Sequence, residues 1–485
     1  MANERGSWGS NIGFLLAAIG SAVGLGNIWG FPYKMGKSGG FTFLIAYLFL
    51  AIFVGFVVMV SELAMGRKVG KGVIGCYHTL SKKFKWVGWL AVFSPFIIMS
   101  FYSVLGGYCI EYMSLNMSNL AFAGAEIKTG ADLFTAMLTN PFGCVVFTLL
   151  FLVICYLINR GGISGGIEKF NKIGMPALFV MLVIIIIRAV TLPGAVEGLK
   201  FMFVPGYAVS AGFIEKAPNF ITVLATAGGQ MFFSLSLAMG VMFTYGSYLS
   251  KQENLVKNSV VIVFSDTLVA LMAGLAVIPA AVAIGIQQGM NVADIKLSGP
   301  NLLFVTLQDV FNAMGTAGPL FGVIFYLLVL IAAISSAISL VEVVATFFLD
   351  RAAEKGKEGN RHKVVLIVCL AITVEAILVA VDGLGSNGLW VPGQATFGIH
   401  GWNDNWLDFM DMMSEGIAMP LGALLMSLMV GYEIKSKTVL EEVRLGCSAK
   451  IDFFYNLCIK VITPIGMFLV LLGQLNDFGF IHIFG

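Results

Sequence analysis

The chain has 485 residues, 58% hydrophobic and 12% charged, with a mean hydropathy of +0.91. A soluble domain is about a quarter charged, so this composition excludes a soluble globular protein and leaves no polar stretch long enough for a separate domain. A net charge of +2 gives no reason to expect a nucleic-acid partner, and the seven cysteines and four histidines are too scattered for a metal cluster.

From the N-terminus, a lone Arg5 precedes the first apolar run and no cleavage-site pattern follows, so no removable signal peptide is expected. At about 20 apolar residues per crossing, eleven spans are expected. They lie near 11–36, 41–66, 87–112, 140–158, 168–191, 219–248, 256–285, 315–348, 364–382, 408–432 and 451–474. The N-terminus and the loops after even-numbered spans carry 21 Lys and Arg, against 7 on the other side and Lys460 within span 11. The positive-inside bias therefore expects a multi-pass plasma-membrane protein with a cytoplasmic N-terminus and an extracytoplasmic C-terminus. The long outer loops 192–218, 286–314 and 383–407 could cap a vestibule.

Span 1 is apolar enough for a bilayer yet poorly made for a continuous helix. Gly20, Gly24 and Gly26 crowd its middle, with Ser21, Asn27 and Pro32, and glycine costs roughly 1 kcal/mol per helical site relative to alanine. Backbone freed at mid-membrane must be satisfied inside the protein. Unwound carbonyls can hold a cation, and a half-helix N-terminus can face a carboxylate. A small-residue packing face is the alternative. Span 6 carries a comparable centre, Gly228-Gly229-Gln230 followed by Phe232-Phe233-Ser234-Leu235-Ser236-Leu237-Ala238-Met239-Gly240. Interrupted spans in matching positions of two inverted five-span halves favour a transporter binding site over packing alone.

These motifs resemble a known family. Gly20-Ser21-Ala22-Val23-Gly24-Leu25-Gly26-Asn27 with Phe31-Pro32 is similar to the first-span signature of the neurotransmitter:sodium symporters. Phe232 to Leu237 resembles their sixth span, Glu62-Leu63-Ala64-Met65-Gly66-Arg67 the end of their second, and Ser335-Ser336 the paired hydroxyls of their eighth. The resemblance runs from Arg5 to about residue 474. It implies an all-α membrane protein with the leucine-transporter-like fold of bacterial amino-acid transporters. Eleven transmembrane helices would form one domain over 1–485, with inverted repeats at 11–191 and 219–432, discontinuous helices 1 and 6, and an additional helix at 451–474.

The resemblance also implies two sodium sites. The second would use the carbonyls of Gly20, Val23 and Ala332 with the hydroxyls of Ser335 and Ser336. The first would use the Ala22 carbonyl, Asn27, Ser234, a span-7 residue and the substrate carboxylate. Counting from Gly274 makes that residue Asp266, and counting from Pro279 makes it Ser265. An intramembrane carboxylate is costly and usually functional. The substrate pocket maps to Ser21, Ala22, Leu25, Gly26, Ile98, Tyr102, Phe233, Ser234, Ser236, Met239, Ser336 and Leu340. Tyr102 would bond the carboxylate, and Ile98, Phe233, Met239 and Leu340 would face an apolar side chain. No acidic residue occurs among the first-span pocket positions to meet a monoamine.

Arg5, Trp8, Ser247, Tyr248 and Asp350 match the family's cytoplasmic gate. Gly166 and Pro176 frame either a segment of span 5 that can unwind in relatives or an ordinary helix start with Pro in an early turn. At the external gate, Gly30 stands where the family has an arginine, with Asp411 as the remaining acid. Lys34 reads as a solvated loop residue or, alternatively, as a replacement partner for it. The implied function is sodium-coupled symport of a neutral, hydrophobic L-amino acid by alternating access, not an enzyme activity. Asp266 already supplies a negative charge, so no chloride is expected. The alternatives are uptake of a glycine-like or osmolyte solute, and a receptor that binds without transport.

Overall fold

Asparagines set several helix starts: Asn140, Asn254 and Asn360 each accept a hydrogen bond from the backbone N–H three residues on, relieving the unpaired donors of a first turn. The computed structural model describes residues 7–121, 129–295, 297, 302–357, 359–392, 405–448 and 450–483, and these are helical without a strand. Nine helices among them are long and apolar enough to cross a membrane. They are span 2 (Phe41–Val69), span 3 (Val87–Ala121), span 4 (Pro141–Asn159), span 5 (Ile163–Val190), span 7 (Leu255–Gln287), span 8 (Gly315–Glu354), span 9 (Arg361–Asp382), span 10 (Trp406–Glu433) and span 11 (Asp452–Asp477).

Spans 1 and 6 are the broken ones. Span 1 is Asn11–Ala22 followed by Gly26–Lys37, bent by 44° at the interruption. Span 6 is Phe220–Ser234, a non-helical stretch, and Val241–Gly246. Together with the nine continuous helices they account for the eleven expected spans. Spans 3, 7 and 8 bury most of their surface, whereas spans 4, 5, 9 and 11 turn most of theirs outward. The broken helices therefore sit inside a ring of apolar ones. That is where irregular backbone is tolerable, because the surrounding protein rather than lipid must satisfy it.

The loop after span 5 is more ordered than its Pro and Gly content suggests. It holds helices Ala195–Phe203 and Tyr207–Ser210. A Cβ on Gly198 would lie 2.6 Å from the Pro279 Cα, so the first of these packs backbone to backbone on span 7. The loop before span 8 carries Leu302–Ala313, anchored where Tyr326 donates to the Leu303 carbonyl at 3.2 Å. Residues 393–404 of the third outer loop lie outside the described residues.

Candidate functional site

Span 1 stops at Val23 because the next turn has nothing to continue it. Asn27 Oδ1 accepts from the Gly24 N–H at 3.1 Å, capping the second half-helix from within, and Tyr102 of span 3 accepts from the Leu25 N–H at 3.0 Å. A Cβ on Gly24 would sit 2.2 Å from Ser336 Oγ and 2.6 Å from the Tyr102 hydroxyl, so only glycine admits this approach. The break in span 6 is sharper. Ser236, Ala238 and Gly240 all have positive φ, at 52°, 59° and 78°, and the Ala238 N–H is taken by Glu62 Oε1 of span 2 at 2.7 Å.

The two breaks are bonded to each other. Ser236 Oγ donates to the Ser21 carbonyl at 2.8 Å, and Ser336 of span 8 donates to the same oxygen at 2.9 Å. The Ser21 hydroxyl lies 2.6 Å from Ser339 Oγ. Beside this knot, Ser335 Oγ lies 2.8 Å from the Ala332 carbonyl and 3.4 Å from that of Val23, while Ser336 Oγ lies 3.4 Å from the Gly20 carbonyl. Five neutral oxygens from spans 1 and 8 thus converge in a buried position.

A second polar cluster lies on the other side of the span-1 break. Asp266 is fully buried and faces inward, whereas Ser265 is only partly buried. Asn27 Nδ2 donates to its Oδ1 at 2.7 Å, Ser234 Oγ lies 2.9 and 3.0 Å from its two oxygens, and Tyr47 of span 2 donates at 3.1 Å. The bond from Nδ2 to the carboxylate orients the Asn27 amide so that its oxygen faces the break. Ala22 closes the first half-helix at the same level.

The remaining pocket residues are less tightly knit. Ile98, Met239, Leu340 and Leu25 are buried on spans 3, 6, 8 and 1. Phe233 is half-buried, its ring 6.3 Å from that of Tyr102, and a Cβ on Gly26 would meet Phe233 at 2.8 Å. At the end of the site reached through the second half of span 1, Lys34 is bonded to Glu415 of span 10. The sequence leaves Lys34 either a solvated loop residue or facing Asp411; it meets Glu415, one turn beyond Asp411 on span 10. Beside Gly30, where the family's arginine is missing, Gln230 holds the space and donates to the Gly26 carbonyl at 2.7 Å.

At the opposite end, Trp8 donates to the Tyr245 carbonyl at 3.2 Å, and Asp350 accepts from the Gly72 N–H at 2.8 Å. Arg5 lies outside the described residues. Ser247 spends its hydroxyl on the Thr244 carbonyl of its own helix. Tyr248 reaches Glu342 of span 8 at 3.1 Å, and Glu342 is in turn bonded to Arg361, which also donates to the Asn159 carbonyl.

Residues 5–131 and 135–482 match the sodium:neurotransmitter symporter family. The chain belongs to that family. It is 33% identical to the uncharacterized sodium-dependent transporter YhdH of Bacillus subtilis, over 98% of each chain. It is 30% identical to a like-named transporter of Methanocaldococcus jannaschii, covering 95% of this chain and 89% of that one. Among solved structures, that of MhsT in complex with L-phenylalanine superposes with a TM-score of 0.82 and 33% identity, covering 97% of this chain and all of the other. The protein is accordingly a sodium-dependent symporter and not an enzyme.

Five residues of the symporter's site region were not singled out from sequence: Tyr47, Ser339, Glu342, Arg361 and Glu415. A signal existed for Glu342 and Glu415, which are carboxylates inside apolar runs of the kind that membranes tolerate only with a partner. Tyr47 carried none, since a tyrosine among leucines and phenylalanines reads as ordinary core.

Proposed function

We propose that this symporter couples sodium entry to uptake of a neutral, hydrophobic L-amino acid by alternating access between two inverted five-span halves, with its N-terminus cytoplasmic. One observation carries the reading. The broken centres of spans 1 and 6 meet at Ser21 and Ser236, and the broken stretch of span 1, residues 20–27, contains no acidic residue. Zwitterions suit such a site. Unwound carbonyls can take the ammonium group, and the N-terminus of the second half-helix, with Tyr102, can take the carboxylate. A monoamine would leave that N-terminus without a counter-charge. Ile98, Phe233, Met239 and Leu340 would surround the side chain. The likeness to a relative solved with L-phenylalanine favours the same substrate class.

Sodium fits both polar clusters. Gly20, Val23 and Ala332 carbonyls with Ser335 and Ser336 make an all-oxygen, uncharged second site, and hard cations prefer oxygen donors. The Ala22 carbonyl, Asn27 Oδ1, Ser234 and Asp266 make a first site that the substrate carboxylate completes. Asp266 makes added chloride redundant, because its charge already offsets the cations gathered there. The Lys34–Glu415 pair, with Asp411 nearby, would close the outer end, and Trp8, Tyr248 and Asp350 with Arg5 the inner end.

A sodium-dependent thermal-shift screen over the twenty amino acids tests the substrate class. The expected result is stabilisation by apolar L-amino acids in sodium and by none in potassium. Stabilisation by glycine or an osmolyte alone would overturn the assignment. Counterflow in proteoliposomes would separate a transporter of that ligand from a receptor for it.

A further inference from the structure

Asn171 of span 5 is fully buried, and only half of its amide is used. Its Nδ2 donates to the Ile167 carbonyl at 2.9 Å, but its Oδ1 has no hydrogen-bond partner. An unpaired buried acceptor costs about 1–3 kcal/mol and calls for a reason. The oxygen is directed at span 1: a Cβ on Gly20 would fall 1.9 Å from it, so the amide touches the Gly20 backbone itself. Gly20 supplies one of the five oxygens of the second cation site.

The depth also matches. Gly174 of span 5 packs on Ile331 of span 8, at 3.0 Å from where its Cβ would be. Asn159, just before span 5, meets Glu342 of span 8 through Arg361, so the two spans run antiparallel. One turn back from Gly174 gives Asn171, and one turn on from Ile331 gives Ser335. Both steps lead the same way, which sets Asn171 and Ser335 at one level with Gly20 between them. Asn171 also lies in the weakest part of its helix. A wider turn occupies Ile163–Glu168, and Pro176 withholds a backbone donor.

We propose that Asn171 Oδ1 is a transfer ligand, taking the sodium ion of the second site as it leaves past span 5. The proposal rests on the second-site reading above. A neutral amide oxygen suits the task, since a station on an exit route must bind well enough to accept the ion and weakly enough to release it. A transient stop lowers the barrier in both directions, so it alters rates and not the equilibrium.

The test uses the full-length protein with 22Na+ alone. Without substrate the first site lacks its carboxylate ligand, so bound sodium reports chiefly on the second. Equilibrium affinity and the dissociation rate after dilution are measured for wild type, Asn171→Leu, Asn171→Asp and Ser335→Ala. Asn171→Leu should slow dissociation roughly tenfold while Kd stays within about twofold, because both rates fall together. Asn171→Asp, isosteric and charged, should keep rapid exchange relative to the leucine variant and tighten Kd by about threefold or more. Ser335→Ala should weaken Kd by about tenfold or more. A wild-type dissociation rate in Asn171→Leu, or faster dissociation with a loosened Kd, would reject the transfer role. If Ser335→Ala still weakens binding in that case, the second site itself stands. A wild-type Kd in Ser335→Ala would remove the site and the proposal together.

Discussion

Asn27 Nδ2 donates to Asp266 Oδ1 at 2.7 Å, so a single amide spans the gap between the broken first helix and span 7. Its other face, Oδ1, caps the second half-helix at Gly24. The same side chain therefore fixes the backbone that would receive substrate and the oxygens that would receive sodium.

Coupling should follow from that double duty. Asn27→Ala is expected to weaken sodium and substrate together, each by roughly tenfold, and to shrink the factor by which either tightens the other, since linkage is reciprocal. Scintillation-proximity titrations of each ligand at several concentrations of the other read this directly. Substrate affinity independent of sodium in the wild type would refute the shared site.

Chloride dependence should reside in Asp266. Replacing chloride with gluconate in a liposome uptake assay should leave wild-type transport unchanged. Asp266→Asn removes the buried charge while Ser234, Tyr47 and Asn27 still converge there. That variant should lose most activity or acquire a halide requirement. A wild-type protein that fails in gluconate would show that Asp266 is not the compensating charge.

The outer end offers a choice between two acids. Lys34 is bonded to Glu415, and both side chains are largely buried, 14% and 9% exposed. A double-mutant cycle on Lys34→Ala and Glu415→Ala, read as substrate dissociation rate, should give a coupling of about 1 kcal/mol or more, within the range for residues in direct contact. The matching cycle with Asp411→Ala should give less. Additive losses in the Glu415 cycle would remove the pair from the gate.

Pocket size should respond to Met239, which is buried on the broken stretch of span 6. Methionine is unbranched and adaptable, so the wild type should accept several apolar side chains. Met239→Phe should shift preference toward smaller amino acids by roughly tenfold, in line with about 1–3 kcal/mol for overfilling a packed site. An unchanged ranking in competition assays would place Met239 outside the pocket.

Most of the architecture was readable in the chain because membranes impose length and polarity rules that few alternatives satisfy. The eleven spans and both interruptions follow from apolar runs and clustered small residues. Where the second cluster would turn was also readable, although counting from Pro279 suggested Ser265. Only the packed helix shows that Asp266 points inward. Lys34 was noticed, but spacing alone left it either a solvated loop residue or a partner of Asp411, and it does not say how far a lysine reaches across from span 1 to Glu415. Tyr47 and Arg361 were missed because their roles arise from contacts between distant segments, with 219 residues separating Tyr47 from Asp266.

The left-handed stretch of span 6 bears on how tightly a ligand can bind. Ser236 and Ala238 hold positive φ without being glycine, a state that costs of order 1 kcal/mol or more each. Glu62 steadies it by accepting the Ala238 N–H. That ordering cost is met when the chain folds, before any solute arrives. An incoming molecule then loses its own translational freedom but does not have to unravel a helix to reach the backbone. Glu62→Gln, which keeps an acceptor, should leave this preorganisation largely intact. Glu62→Leu would hand the entropy of an unpinned segment back to the binding step, so affinity would fall through a residue expected to touch neither substrate nor ion.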